Sequence, residues 1–407
     1  MVKAFVRGKF VKINSFKQSL LFIYKKIKKV KYNIEEKYPK VYIKHCKINP
    51  KKIVFDNFLG KGYGDNPKYI MEEIFQQQLN WDFVWLTNNM DNEFPKGVRV
   101  VKYGSLKAMR EFASAKVWVD NVRNTIRPPK KKNQIYLQTW HGGFAVKKVE
   151  GAAESDLSEV YVTYAKRDGA ETDAIISACK VQSQDFMQHF WLNKDADILE
   201  IGQPRNDILF SDHKDKVAEK VKKRLGISNT TKVVLYAPTF RDNLTTDCYN
   251  LDTQAVKNAF EERFGGKFVI AIRLHPNVQG QERCFAFNDT IINATTYPDI
   301  HELYLTADYL ISDYSSAPFD FSLLNRPVFL YVSDYEKYKT SRGLTLKLED
   351  TPFLLSKSNM ELVDSIMSFS EKEYWEKFEK FKSEYWEPYD KGNASFAAVN
   401  WIKDKTR

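Results

Sequence analysis

Tyr309-Leu310-Ile311-Ser312-Asp313-Tyr314-Ser315-Ser316-Ala317-Pro318-Phe319 passes from an apolar segment through a short polar turn to a proline. The first four residues read as a strand. Pro318 has the fixed φ that suits a first helical turn, and Ser315 or Ser316 can cap the helix that follows. A strand that turns straight into a helix is half of a βαβ unit. The same punctuation recurs on both sides of this stretch. Strands are predicted at 52–55, 81–86, 98–101, 116–120, 135–139 and 174–177, and again at 232–237, 268–273 and 328–332. Helical patterns lie at 68–79, where Asp65 or Asn66 can cap and Pro67 fits the first turn, and at 105–113 and 214–225. Strands alternating with helices at this spacing mean parallel sheets. The expectation is an α/β fold with two Rossmann-like units, 49–208 and 209–385, joined near 202–211. The aromatic-rich stretches 374–386 and 394–401 read as terminal helices, so 386–407 is expected to form a C-terminal helix. Ligands of such folds bind beyond the carboxyl ends of the strands, here in the cleft between the two units.

The chain has 407 residues, enough for two or three domains. It is 43% hydrophobic and 14% aromatic, which supplies cores and excludes intrinsic disorder. Cys46, Cys179, Cys248 and Cys284 lie far apart and form no C-x-x-C, so neither a zinc site nor a disulfide framework is indicated, and a reducing compartment is expected. No apolar run approaches the ~18 residues of a membrane span. The longest near the start, 19–24, is followed by lysines and lacks a small-residue cleavage site, which argues against a secretory leader.

The net charge of +11 is concentrated at one end. Residues 1–52 hold 16 lysines and arginines against two acids, Glu35 and Glu36, while the remaining 355 residues carry a slight negative excess. Phe16, Leu20, Ile23, Ile27 and Val30 recur at helical spacing, with Lys25, Lys28 and Lys29 on the opposite face. A basic amphipathic arm over 1–48 reads as a binder of anionic membrane surface, each lysine adding about 1 kcal/mol. Packing on the body of the protein, self-association and nucleic-acid binding are the alternatives. The acidic body, without a basic helix or an aromatic RNA-binding signature, weighs against nucleic acid.

Four polar clusters follow predicted strands. In Trp140-His141-Gly142-Gly143 the glycines admit a substrate close to the backbone, and the histidine suits proton transfer near neutral pH. A histidine that merely ties neighbouring strands is the competing reading. Arg241, after the 232–237 strand, and Arg273 with His275, after the 268–273 strand, place cations at two strand ends of one domain, where a planar guanidinium fits phosphate oxygens. A surface salt bridge is the alternative for either arginine alone. Asp313, Ser315 and Ser316 offer hydroxyls and a helix start to an anion, or simply an ordinary capped helix. Neither a Walker loop nor G-x-G-x-x-G occurs, and Asp195 with Asp197 is a chance-level acidic pair, so a mechanism without metal or cofactor is expected.

In this order, Trp140-His141-Gly142, Gly202-x-Pro204-Arg205-Asn206-Asp207, Arg273-x-His275-Pro276 and Ser312-Asp313-Tyr314-Ser315-Ser316 resemble the CDP-glycerol glycerophosphotransferase family of teichoic acid primases and polymerases. Asp65-Asn66-Pro67 and Arg326-Pro327 also fit, and the likeness covers about 50–345. Where the family's best-known members read W-H-G-T-P-L-K, this chain has Gly143, Phe144, Ala145 and Val146 after the first three.

The resemblance implies a GT-B architecture, two Rossmann-like domains facing across a cleft, in a peripheral enzyme on the cytoplasmic membrane face. It implies a CDP-polyol donor held by the C-terminal domain and a lipid-linked or polymeric polyol-phosphate or glycan acceptor near the N-terminal one. By that likeness His141 is the catalytic base, with Gly142 and Gly143 on the acceptor side. His275 stabilises the donor's phosphates, and Ser315, Ser316, Asp313, Arg205, Arg241 and Arg273 make up the donor-binding set. The alternatives are a GT-B glycosyltransferase acting on a nucleotide-sugar and a membrane-associated scaffold without activity.

Overall fold

The computed structural model describes residues 46–407 except 92, 145, 147, 242–247, 276, 277, 279–281, 343 and 344. The basic arm and its expected helix at 16–30 therefore lie outside the described residues, apart from the arm's last three.

The first domain is a seven-stranded sheet: β1 (Asn49–Asp56), β2 (Asp82–Thr87), β3 (Arg99–Lys102), β4 (Ala115–Asp120), β5 (Ile135–Gln138), β6 (Ala174–Ser177) and β7 (Asp197–Glu200). Its order is β3-β2-β1-β4-β5-β6-β7 and every pairing is parallel. Ile53, Val54 and Phe55 of β1 are all buried, as a strand covered by helices on both faces requires. The strand order reverses between β1 and β4, and the loops leaving these two strands open a crevice there.

The second domain is a six-stranded parallel sheet ordered β10-β9-β8-β11-β12-β13. Its strands are β8 (Lys232–Tyr236), β9 (Phe268–Ile272), β10 (Ile291–Asn293), β11 (Tyr309–Ser312), β12 (Val328–Tyr331) and β13 (Leu354–Ser356). β8, which carries the Arg241 segment, has β9 and β11 as its neighbours, so the three motifs of this domain leave adjacent strands.

The chain crosses between the domains twice. Pro204–Phe210 forms a 3-10 segment at the first crossing. The C-terminal helix Ala394–Thr406 then returns to the first domain, where Ala398, Val399 and Ile402 join the core formed by Ile53, Phe55 and Ile70. Asp207 anchors that return by accepting the Ala394 and Ser395 N–H groups at 2.9 and 2.7 Å. The expected helix at 374–386 is Glu371–Phe381 followed by a π-helical turn, Lys382–Trp386.

The helix expected at 68–79 is Asp65–Gln76 and has no side-chain cap. Asp65 holds a left-handed φ of 53° at its start, and Asn66 is spent elsewhere. Asp197, of the acidic pair, opens β7 and accepts the Trp401 Nε1–H at 2.8 Å and Lys405 at 2.9 Å.

Candidate active site

β5 ends at Gln138, whose Oε1 accepts the Trp140 N–H at 2.9 Å. Trp140 then adopts a φ of 54° and turns the chain out of the sheet. His141 follows, half-buried, with Nδ1 2.6 Å from the carbonyl oxygen of Asn121 at the end of β4. Phe58, in the loop after β1, meets the imidazole edge-on at 5.3 Å between ring centres. Phe58 and Leu59 have φ of 46° and 58°. Left-handed backbone in residues with a β-carbon costs about 1–3 kcal/mol each and survives only where the surroundings over-determine it. Two of these residues, Phe58 and Trp140, pack their rings against one histidine at the crevice of the first domain.

The segment after His141 reaches the other domain. A β-carbon on Gly142 would lie 3.9 Å from Ser316 Oγ, and one on Gly143 would lie 3.1 Å from Asp320 Oδ1. Phe144 is buried among second-domain rings, 4.3 Å from Phe319 and 6.1 Å from Phe381. Full burial of such a side chain contributes roughly 1.5–3 kcal/mol. The histidine loop is therefore fastened at both ends, to the first-domain crevice and to the second-domain core.

Ser315 and Ser316 stand half-buried between β11 and the short helix Ala317–Ser322. Ser315 Oγ accepts the Ala317 N–H at 2.9 Å, whereas Ser316 makes no side-chain cap bond. Asp313 is buried and accepts from Thr239 N at 2.8 Å and Tyr314 N at 2.7 Å. Burial pushes its carboxyl upward, opposed by Arg241 and by the bonds from Thr239. Arg241 itself donates to Asp334 from Nε at 2.7 Å and to Asp313 from an Nη at 3.1 Å, with its guanidinium over the stacked Tyr314 and Tyr338 rings. Asp313 and Arg241 thus knot the ends of β8 and β11 together.

His275 packs against Phe240 at 4.6 Å between ring centres. Arg273 donates to the Tyr297 carbonyl, and burial pulls its pKa down against the opposing pull of Asp299. The turns that carry His275 and Ser315 leave β9 and β11, which flank β8, so with neighbouring strands about 4.8 Å apart the two strands lie about 10 Å from each other.

Arg205 joins the two halves. It is buried and donates to Asp65 Oδ2 at 2.9 Å, to the His141 carbonyl at 2.7 Å and to Asp320 Oδ2 at 2.9 Å. Burial alone would lower its pKa, but the Asp320 and Asp65 carboxylates more than offset this and hold it above its ordinary value. Asn66 reinforces the joint, donating to the Trp140 carbonyl at 3.1 Å and accepting the Arg205 N–H at 3.0 Å. Lys68 and Tyr69 reach Asp299 of the second domain at 2.7 and 2.8 Å. Arg205, expected among the phosphate ligands, is engaged by protein groups through both Nη atoms, while its buried Nε has no hydrogen-bond partner among the described residues.

Asn57, Phe58, Asn121, Asp299 and Asp320 were not singled out from the sequence. The one available signal was position: Asn57 and Asn121 directly follow the Asp56 and Asp120 that end β1 and β4. Among the described residues no group of three or more His, Cys, Asp or Glu is arranged to hold a metal ion, and no helix is long and apolar enough to cross a membrane.

Comparison with known proteins adds a family. Residues 38–403 match CDP-glycerol:poly(glycerophosphate) glycerophosphotransferase. A teichoic acid poly(glycerol phosphate) polymerase of Staphylococcus epidermidis is 30% identical over 91% of this chain and 53% of its own. The chain therefore spans about half the length of that relative. A teichoic acid glycerol-phosphate transferase of Staphylococcus aureus is 30% identical, covering 79% of this chain and 85% of its own. Among solved structures, a variant of the wall teichoic acid polymerase TagF soaked with CDPG superposes with a TM-score of 0.79 at 27% identity, covering 97% of this chain and 98% of its own.

Proposed function

The chain belongs to the CDP-glycerol:poly(glycerophosphate) glycerophosphotransferase family, and from that premise we propose that it moves a polyol phosphate, glycerol phosphate first, from a CDP-polyol to a hydroxyl of a membrane-linked acceptor. The products are an acceptor lengthened by one polyol phosphate, in teichoic acid or a related surface polymer, and CMP.

The chemistry follows from the residues. His141 takes the proton of the acceptor hydroxyl. The oxygen attacks the phosphorus that bears the polyol, a new P–O bond forms, and the P–O bond to the bridging oxygen breaks. That oxygen leaves with CMP. His275, Arg273, Ser315 and Ser316 offset the charge that collects on the two phosphates. Arg241 and Asp313 support this set from behind by fixing the strand ends, and Gly142 and Gly143 leave the acceptor side open. Positioning and electrostatics supply most of the acceleration, as in phosphoryl transfer generally.

The observation that carries the reading is the close approach of the Gly142 and Gly143 backbone, next to His141, to Ser316 and Asp320 across the domain boundary. It supports a base and a phosphate-binding turn working in one cleft. Incubation with a panel of CDP-polyols and nucleotide-sugars, followed by mass analysis of the released nucleotide, tests the reading. CMP supports it, whereas a nucleoside diphosphate indicates sugar transfer. A general base commonly contributes 10²–10⁴-fold, so His141→Ala is expected to lose about that much turnover. Near-normal turnover in the purified variant overturns the assignment.

The charge imbalance of residues 1–52 supports a peripheral position on the cytoplasmic membrane face, with the basic arm on anionic lipid, and the slight negative excess of the rest of the chain weighs against nucleic acid as its partner.

A further inference from the structure

His141 Nδ1 faces a backbone carbonyl, that of Asn121, at 2.6 Å. A carbonyl oxygen only accepts, so Nδ1 carries a proton and, in the neutral ring, Nε2 holds the lone pair. The residue that supplies this carbonyl is itself tied down. Asn121 is wholly buried, its Oδ1 accepts the Phe58 N–H at 2.8 Å, and its Nδ2 donates to Asn57 Oδ1 at 2.8 Å. Asn57, also buried, donates from Nδ2 to the Gly62 carbonyl at 3.2 Å. Phe58, whose N–H meets Asn121, is the residue whose ring packs edge-on against the imidazole. Two asparagine side chains therefore bind the Asp56–Gly62 loop to the end of β4, and that joint grips His141 from two sides: the carbonyl at Nδ1 and the aromatic edge on the ring.

We infer that Asn121 and Asn57 are positioning residues for the base, holding His141 in the Nδ1–H tautomer so that Nε2 is the nitrogen that receives the acceptor's proton. The inference rests on the transferase reading and names how that site keeps its base competent. An asparagine pair that only braced two strand ends would affect stability. It would not affect the tautomer or the balance between binding and turnover. Placement errors of this kind near reacting atoms cost up to about 100-fold in rate.

The test uses the full chain. Nitrogen-15 shifts of histidine-labelled protein, with the His141 signals assigned by loss in His141→Gln, report the tautomer of the unaltered enzyme. An Nδ1–H, Nε2-unprotonated pattern at pH above the imidazole titration supports the inference, and the Nε2–H tautomer overturns it without any variant having to fold. Asn121→Ala and Asn57→Ala are then compared with the unaltered enzyme for CMP release from CDP-glycerol and for CDP-glycerol affinity by calorimetry. The expected result is a roughly 10–100-fold fall in kcat, donor affinity within about twofold, and His141 signals averaged between the two tautomers. Unchanged kcat in folded Asn121→Ala and Asn57→Ala overturns the inference. If His141→Gln itself keeps its turnover, the base reading fails instead, so the two failures are distinguishable.

Discussion

Replacing Arg205 with methionine separates two roles for this residue, interdomain tie and phosphate ligand. The side chain is only 4% exposed and donates to Asp65, Asp320 and the His141 carbonyl at 2.7–2.9 Å. Its removal strands Asp320, whose side chain is 8% exposed and, among the described residues, is left with Asn206 at 3.3 Å and His301 at 3.9 Å. Breaking a buried pair in this way costs about 3–5 kcal/mol, because the remaining charge is left uncompensated. Against a typical total of about 5–15 kcal/mol this is a large share, so denaturant midpoints should fall clearly. Asp320→Asn in the same chain removes the stranded charge. The double variant should therefore be more stable than the sum of the single losses, by a coupling of about 1–3 kcal/mol. Turnover should stay low in both variants, since neither restores the grip on the His141 carbonyl. The assay pairs guanidinium unfolding with calorimetry of CDP-glycerol binding. If Arg205→Met unfolds within about 0.5 kcal/mol of the parent while donor affinity collapses, Arg205 is a phosphate ligand and the tie is not its work.

Gly142→Ala should leave stability within about 0.5 kcal/mol, since among the described residues its β-carbon meets nothing nearer than Ser316 Oγ at 3.9 Å. Gly143→Ala should cost about 1–3 kcal/mol, because Asp320 Oδ1 at 3.1 Å is pinned by Asn206 and cannot retreat; equal melting of the two variants would contradict this. Asp390 accepts from Gln203 and Asn206 at the domain joint, and burial pushes its carboxyl up to about 7. The folded state thus holds a proton that the unfolded chain releases near 3.8, so this contribution is full below that value and is lost as pH rises through about 7. Asp390→Asn should flatten the fall of unfolding free energy across that window, and an unchanged slope counts against the assignment. Deleting residues 1–45 should weaken binding to anionic vesicles and leave the fold intact; equal vesicle binding would favour packing of the arm on the body or another chain.

The βα punctuation was legible because it is local. A buried parallel strand reads as an apolar run, and its end as a polar turn with Pro or Ser. Ala174–Ser177 and Tyr309–Ser312 were placed to the residue on that basis, and the Lys/Glu-rich helix Lys214–Leu225 from its own local pattern. The three strands not foreseen, β7, β10 and β13, are outer strands of three or four residues. Asp197–Glu200 and Leu354–Ser356 are only partly buried, so hydrophobic patterning is weak there. The candidate residues on strand ends could be read in the same local way. What they touch could not. Arg241 and Arg205 carry the fork that binds phosphate, and nothing in a linear sequence distinguishes that use from a carboxylate held 72 or 115 residues further on.

The same limit explains why the joint around His141 has no sequence signature of its own. Asn66, Asn121, Asn206 and Asp320 are ordinary residue types, each adequate for a turn or a cap. Their effect depends on being buried together, because in a low-dielectric interior a polar group is stabilised only by the partners its neighbours supply. A set of buried polar groups that serve as one another's partners admits few arrangements of two domains. The residues that fix the relative position of His141 and Ser316 are therefore the ones whose chemistry is least conspicuous. Substitutions there should separate assembly of the site from binding of the donor more cleanly than substitutions at His275 or the serines, for which we propose a direct part in holding the donor.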